Sequence, residues 1–130
     1  MEVIKKKIIT SVLILAIRTG YILSSEWLIN EFKVPIDMMC FAATSFGVNL
    51  KMVKFIYNKY CETHNNNIGD AERYQISLQL MGSGLASHDV LDWALSNNFP
   101  YILSTVESAI SRGFYHILFW FIWNMRNRND

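Results

Sequence analysis

The sequence contains an internal repeat, which limits the folds that this chain can adopt. Four segments align with one another without gaps: residues 16–28, 44–56, 82–94 and 109–121. One column of this alignment is aromatic and contains Trp27, Phe55, Trp93 and Trp120, at spacings of 28, 38 and 27 residues. A period of this length is typical of proteins built from stacked helix-turn-helix units.

A second column of the alignment lies seven residues before the aromatic one. Its members are small or nearly small: Gly20, Val48, Ala86 and Gly113. Such residues suit a sharp turn from one helix into the next. The longer spacing of 38 is explained by an insertion at residues 62–70 (ETHNNNIGD), whose polar, turn-forming residues predict a solvent-exposed loop.

Apolar residues recur every three or four positions along most of the chain, and alternation with a period of two is scarce. This pattern predicts an all-α fold of about eight helices, separated by breaks such as those at Gly20 and Gly113. Asn97 is expected to end one helix in a left-handed conformation, and Pro100 prevents that helix from continuing. We expect one domain from 130 residues, with repeats at 1–33, 34–69, 70–99 and 100–130.

The two apolar runs near the chain ends are both expected to be helices of the mature protein. Residues 4–18 follow the outline of a secretory signal peptide, which remains the alternative, but Arg18 stands where small residues would mark a cleavage site. The runs at 8–17 and 113–125 are shorter than the ~20 apolar residues that span a bilayer. We therefore expect no stable membrane insertion.

The residues over 91–121 resemble the divergent ankyrin-like repeats encoded by large DNA viruses. The residues that carry this resemblance are in register and without a gap: Trp93, Ala94, Asn97, Pro100, Tyr101, Thr105, Ala109, Gly113, Ile117, Leu118 and Trp120. Residues 35–57 match less closely, and the Thr-Pro-Leu-His opening of typical ankyrin repeats is absent. The resemblance implies an ankyrin-like solenoid that acts as a protein–protein interaction module, with a host protein as partner if the chain is viral.

In such an array the aromatic column fills the seams between stacked units. The sequence therefore predicts that all four aromatic residues of the column belong to the core. A solenoid would also place residues 27, 55, 93 and 120 at even steps along one axis.

A compact helical bundle is the alternative interpretation. Residues 18–27 (RTGYILSSEW) are similar to the Arg-Gly-Tyr-x-Trp ending of the first helix in viral regulators of cell death of the Bcl-2 type. The Asn-Trp-Gly-Arg signature of that family has only residues 67–73 (NIGDAER) as its counterpart here. This resemblance implies a bundle wrapped around one central helix, with a groove that binds a helical peptide.

The charges and cysteines of the chain predict neither nucleic-acid binding nor catalysis. The 12 basic and 11 acidic residues are interspersed and leave a net charge of +1, too little to hold a phosphate backbone. Cys40 and Cys61 are expected to be free thiols in a reducing compartment, the cytoplasm. Cys61 and His64 form an isolated Cys-x-x-His pair, whereas structural zinc requires four ligands. We expect no metal, no cofactor and no enzymatic activity.

The C-terminal helix, at about 114–125, is apolar on every face and lacks the polar outer face that normally caps a repeat array. We expect Phe119, Ile122 and Trp123 to form a contact surface for a partner protein or for a second copy of the chain. Tyr101 is a further candidate contact residue. The alternative is that this helix folds back and is buried on all sides.

Overall fold

The computed structural model describes residues 2–47, 49–81, 87–100, 107, 110, 111, 113 and 115–128. Within these residues there are no strands, which confirms the predicted all-α class. The described helices are α1 (Glu2–Thr19), α2 (Ile22–Phe32), α3 (Met38–Gly47), α4 (Leu50–Thr63), α5 (Asp70–Met81), α6 (His88–Ser96) and α7 (Tyr115–Arg128). No helix in this part of the chain combines the length and apolar character needed to cross a membrane.

Three of the helices begin at residues whose side chains cap the first turn. Asp37 before α3, Asn49 before α4 and Ser87 before α6 each accept a hydrogen bond from a backbone N–H of that turn, at 3.0, 3.0 and 3.4 Å. Such caps satisfy donors that have no partner within the helix. Short polar residues in front of apolar stretches therefore fix these three helix starts.

Three helices end in one backbone motif. A residue with positive φ follows the helix, namely Gly20 after α1 (84°), Asn65 after α4 (53°) and Asn98 after α6 (62°). The next N–H then bonds the carbonyl five residues back, as from Tyr21 to Ala16 at 3.0 Å. These are the bonds of a Schellman motif, which reverses the chain tightly after a helix.

The left-handed residue after α6 is therefore Asn98, and the prediction of Asn97 is wrong. Asn97 has a φ of −98°, and its N–H still bonds the carbonyl of Trp93 as in a helix. The helical hydrogen bonding thus continues one residue further than expected. Asn98, the second of two asparagines, takes the conformation that asparagine tolerates better than most residues.

The chain forms two compact units, Met1–Ile68 and Gly69–Asp130. In unit 1, α1 packs against α2 and α3, and α3 contacts α4. The fully buried side chains there include Leu13, Ile17, Phe41, Met52 and Ile56. Burial of each such side chain contributes about 1.5–3 kcal/mol.

The starts of α2 and α4 lie together in unit 1, and so do their ends. A Cβ atom added to Gly20, just before α2, would lie 3.5 Å from Nδ2 of Asn49, the cap of α4. Residues at the end of α2 line one cleft together with Lys59, Glu62 and Thr63 at the end of α4. Helices α2 and α4 therefore run in the same direction.

In unit 2, α5 holds the end of α6 through one side chain. Nη1 of Arg73 donates a hydrogen bond to the carbonyl of Asn97 at 2.8 Å, and its guanidinium lies 5.6 Å from the ring centre of Phe99. Positive charge at a helix C-terminus is favourable because the last carbonyls there lack partners. The buried side chains of this unit include Ile76, Leu80, Val90, Leu91 and Ala94.

The aromatic column divides into buried and exposed members, so the prediction that all of it is core is wrong. Trp120 is only 7% exposed, whereas Trp27 is 59% exposed. Phe55 and Trp93 are half-buried. Helix α2 turns Ser25, Leu28 and Ile29 inward, and at 100° per residue this leaves Trp27 on the opposite face.

The predicted loop at 62–70 is shorter than expected because α4 continues to Thr63 and α5 begins at Asp70. The side chains from Glu62 to Asn67 are exposed. Gly20 and Gly113, at which the sequence predicts breaks between helices, both have positive φ values. The predicted break at 82–84 and the column members Val48 and Ala86 lie outside the described residues.

Candidate protein-binding surface

Helices α6 and α7 are joined by two polar contacts, one helical turn apart. Nε1 of Trp120 donates a hydrogen bond to Oδ1 of Asp92 at 2.7 Å. Nε2 of His88 lies 3.1 Å from the carbonyl oxygen of His116. Because a carbonyl oxygen only accepts, Nε2 of His88 carries the proton and donates. The two imidazole rings stack with centroids 5.8 Å apart.

Both contacts join residues that are 28 positions apart. His88 and Asp92 are four residues apart on α6, and their partners His116 and Trp120 are four residues apart on α7. The contacts thus advance along both helices in the same direction, about one turn at a time. Helices α6 and α7 therefore run parallel, side by side.

A cleft of about 400 Å³ lies between these helices. Its lining consists of three aromatic side chains with one carboxylate and one imidazole: Phe119, Trp120, Trp123, Asp92 and His88. One carboxylate oxygen of Asp92 already accepts the hydrogen bond from the indole N–H of Trp120. An apolar cleft with a few polar groups is suited to receiving an apolar side chain of another molecule.

One face of α7 is apolar and open to solvent. Phe119 is 64% exposed, Trp123 is 66% exposed, and Ile122 is also exposed. Tyr115, one turn before Phe119, extends the same face and is exposed as well. The alternative, in which this helix folds back and is buried on all sides, is therefore wrong. Tyr101, the remaining candidate contact residue, lies outside the described residues.

The residues that sequence reasoning missed are His88, Asp92 and Tyr115. The signal that could have found the first two is the repeat itself. His88 and His116, like Asp92 and Trp120, are separated by 28 residues, close to the spacing of 27 between Trp93 and Trp120. Residues separated by one repeat length face each other when repeats stack.

A second apolar surface lies in unit 1. On α2, Leu23 is 83% exposed, and Trp27 lies on the same outer face. The outward side of α1 is apolar as well, with exposed Ile4, Ile8, Val12 and Leu15. A separate cleft of about 350 Å³ lies where α2 and α4 end.

Cys40 and His64 are held in local environments that do not resemble a reactive or metal-binding site. Burial raises the pKa of Cys40 to about 11, which keeps this thiol protonated at neutral pH. The ring of His64 stacks on Tyr60 with centroids 4.0 Å apart, and its Nδ1 lies 2.9 Å from the Tyr60 carbonyl oxygen. In the described ranges, no three His, Cys, Asp or Glu side chains are grouped so that they could hold a metal ion.

Comparison with known proteins assigns no relative to this chain. No protein-family model matches it, and no curated protein or solved structure is significantly similar to it. Its function is therefore inferred from the geometry of its own residues.

Proposed function

We propose that this chain is a non-catalytic protein-binding module made of ankyrin-like helix-turn-helix repeats. In this interpretation α1 and α2, α3 and α4, and α5 and α6 are successive pairs, and α7 is the second helix of a fourth pair. The positive φ values of Gly20 and Gly113 support the pairing, because both residues hold the turn position seven residues before the aromatic column.

The proposal rests on the packing of α6 against α7. These helices run parallel, and the residues that join them are about one repeat length apart in the sequence. Stacked repeats place equivalent helices side by side in the same direction. In an up-and-down four-helix bundle, helices two apart in the chain also run in the same direction, but they lie diagonally across the core, whereas α6 and α7 contact each other directly. The common direction of α2 and α4 in unit 1 is consistent with the same arrangement.

The exposed face of α7 and the neighbouring cleft are the proposed binding surface. Aromatic side chains supply most of the binding energy at protein interfaces because they bury a large area with little loss of conformational freedom. Phe119 and Trp123 are the proposed anchors. The resemblance to viral repeats extends the proposal to a protein of the host cytoplasm as one class of partner.

Capture experiments with surface variants test this proposal. The Phe119→Ser, Trp123→Ser double variant should lose at least about tenfold of the protein captured by the wild-type chain, because both anchors are removed. Tyr74→Ser is the matched control, since Tyr74 is another exposed aromatic residue of unit 2 but lies on α5. Circular dichroism should show equal helix content in all three proteins.

Equal capture by the double variant and the wild-type chain would contradict the proposal. So would the absence of any captured protein, including a second copy of the chain.

A further inference from the structure

The helices that hold the aromatic column differ in what they expose. Helix α2 presents Leu23 and Trp27 to solvent, and α7 presents Tyr115, Phe119, Ile122 and Trp123. In the two column helices between them in the chain, no described large apolar side chain is exposed. Their exposed residues are charged or polar, such as Lys51, Lys54 and Asn58 on α4, and Asp89 and Ser96 on α6. Only the first and last column helices therefore have an apolar outer face.

Contacts between neighbouring repeats follow one register rule. Asp92, one residue before its column aromatic Trp93, contacts Trp120, which is itself the aromatic of the next repeat. His88, five residues before Trp93, contacts His116, four residues before Trp120. With positions counted from the aromatic column, a residue thus contacts the residue that lies one position later in the next repeat.

Unit 1 obeys the same rule. Gly20 lies seven residues before Trp27, and its neighbour Asn49 lies six residues before Phe55. This one close approach in unit 1 therefore fits the rule read from the two hydrogen bonds of unit 2.

If another repeat followed α7, the register rule would define which of its positions meet Phe119 and Tyr115. Helix α2 has exposed apolar residues at both of these positions. Phe119, one residue before Trp120, would meet the aromatic of the following repeat, and Trp27 holds that position in α2. Tyr115, five residues before Trp120, would meet the position of Leu23. All four side chains are exposed in the chain alone.

We propose that the apolar face of α7 binds the apolar face of α2 in a second copy of this chain, so that copies associate head to tail. The inference rests on the proposed repeat organisation, and it names the partner of the α7 surface. Phe119 would pack against Trp27, and Tyr115 against Leu23.

The charges of the two helices are complementary. Helix α2 has Glu26 and Glu31 and no basic residue before Lys33, which follows its end, whereas α7 has Arg126 and Arg128 and no acidic residue. Opposite charges favour the approach of α2 to α7, and like charges oppose pairing of α2 with α2 or of α7 with α7. The contact therefore joins two different surfaces, and association is not limited to a symmetric dimer.

Mixing two variants tests the contact. Trp27→Asp blocks the α2 face and Phe119→Asp blocks the α7 face, and both side chains are exposed, so neither change opens a cavity. In sedimentation experiments, each variant alone should self-associate at least about tenfold more weakly than the wild-type chain. An equimolar mixture should form a one-to-one complex, because each variant retains the face that the other lacks. Tyr74→Asp should associate like the wild-type chain.

Cysteine cross-linking provides a measurement that does not depend on the loss of binding. In chains with Cys61→Ser, an Asn30→Cys chain mixed with an Ile122→Cys chain should form a disulfide-linked heterodimer under mild oxidation, because the register rule pairs these two exposed positions and both chains keep Trp27 and Phe119. Homodimers of either chain should be at least about tenfold less abundant, which corresponds to the preference of α2 for α7.

Several results would overturn the head-to-tail contact. They are a wild-type chain that stays monomeric at roughly millimolar concentration, undiminished self-association of either blocked variant, and predominance of homodimers in the cross-linking. A monomeric wild-type chain that still captures a different protein through Phe119 and Trp123 would overturn this inference and leave the proposed function intact.

Discussion

Trp120 combines burial with a polar contact in a single side chain. Its ring is almost fully buried, and its indole N–H donates to Asp92 on the neighbouring helix. Trp93, one repeat earlier, is only half-buried, and its ring lies 5.7 Å from that of Phe99. Two residues that the alignment treats as equivalent therefore carry different shares of the stability.

Truncation of these two tryptophans should separate them. Trp120→Ala should lower the free energy of unfolding by about 3–5 kcal/mol, since it leaves a cavity and removes the donor to Asp92. Trp93→Ala should cost about half as much, because roughly proportionally less apolar surface is removed from the core. Urea unfolding of both variants measures the difference. An equal or larger cost for Trp93→Ala would contradict this assignment.

At the scale of the helix, the turns determine where one element ends and the next begins. Helices α1, α4 and α6 end in the same hydrogen-bonded motif, but with glycine in one case and asparagine in the other two. Glycine has no Cβ atom and adopts a left-handed conformation without strain, whereas asparagine adopts it at some cost. The three turns are therefore unequal in strain although they are alike in geometry.

Substitution at these turns should change stability in opposite directions. Gly20→Ala should destabilise the chain by about 1 kcal/mol, and the cost is conformational because a Cβ atom there would meet Asn49 at an ordinary contact distance. Asn98→Gly should stabilise it by up to about 1 kcal/mol. Thermal unfolding monitored by circular dichroism gives both signs. Two changes of the same sign would show that the left-handed turns are not the determining factor.

Much of this element-level structure follows from local sequence signals. The period of the apolar residues predicts the helices, and Gly20 and Gly113 predict two of the turns. Local signals could not predict that Trp27 is exposed, because α2 has apolar residues on two sides and the choice of the buried side depends on its packing with α1. They also could not distinguish Asn97 from Asn98, since either asparagine can adopt the left-handed conformation.

The candidate surface on α7 could be predicted only in part, because local signals do not show which side of this helix is buried. The sequence of an amphipathic helix shows which of its sides is buried. Helix α7 is apolar on all sides and carries no such signal. Its packing against α6 is what leaves Phe119, Ile122 and Trp123 facing solvent. The contacts of His88 and Asp92 with α7 follow from the repeat length, but their register could be read only from the packed helices.

At the scale of the whole molecule, parallel helices occur in both units. In unit 1, α2 and α4 run in the same direction, and in unit 2, α6 and α7 do so. In the proposed array, each pair is related by one repeat and by a shift of one residue. A protein built in this way binds partners through faces formed by successive equivalent helices, which is the basis of the proposed function.

The repeat array requires α2 and α4, and likewise α6 and α7, to run in the same direction, and paramagnetic relaxation measured by NMR reports these directions. A spin label at Leu23→Cys, near the start of α2, should broaden amide signals at the start of α4 more than those at its end, and a label at Glu31→Cys should do the reverse. A label at Asp89→Cys, near the start of α6, should likewise broaden the start of α7 most. All three chains carry Cys61→Ser. Stronger broadening at the distal end of α4 or of α7 would mean antiparallel neighbours, and would contradict the repeat array.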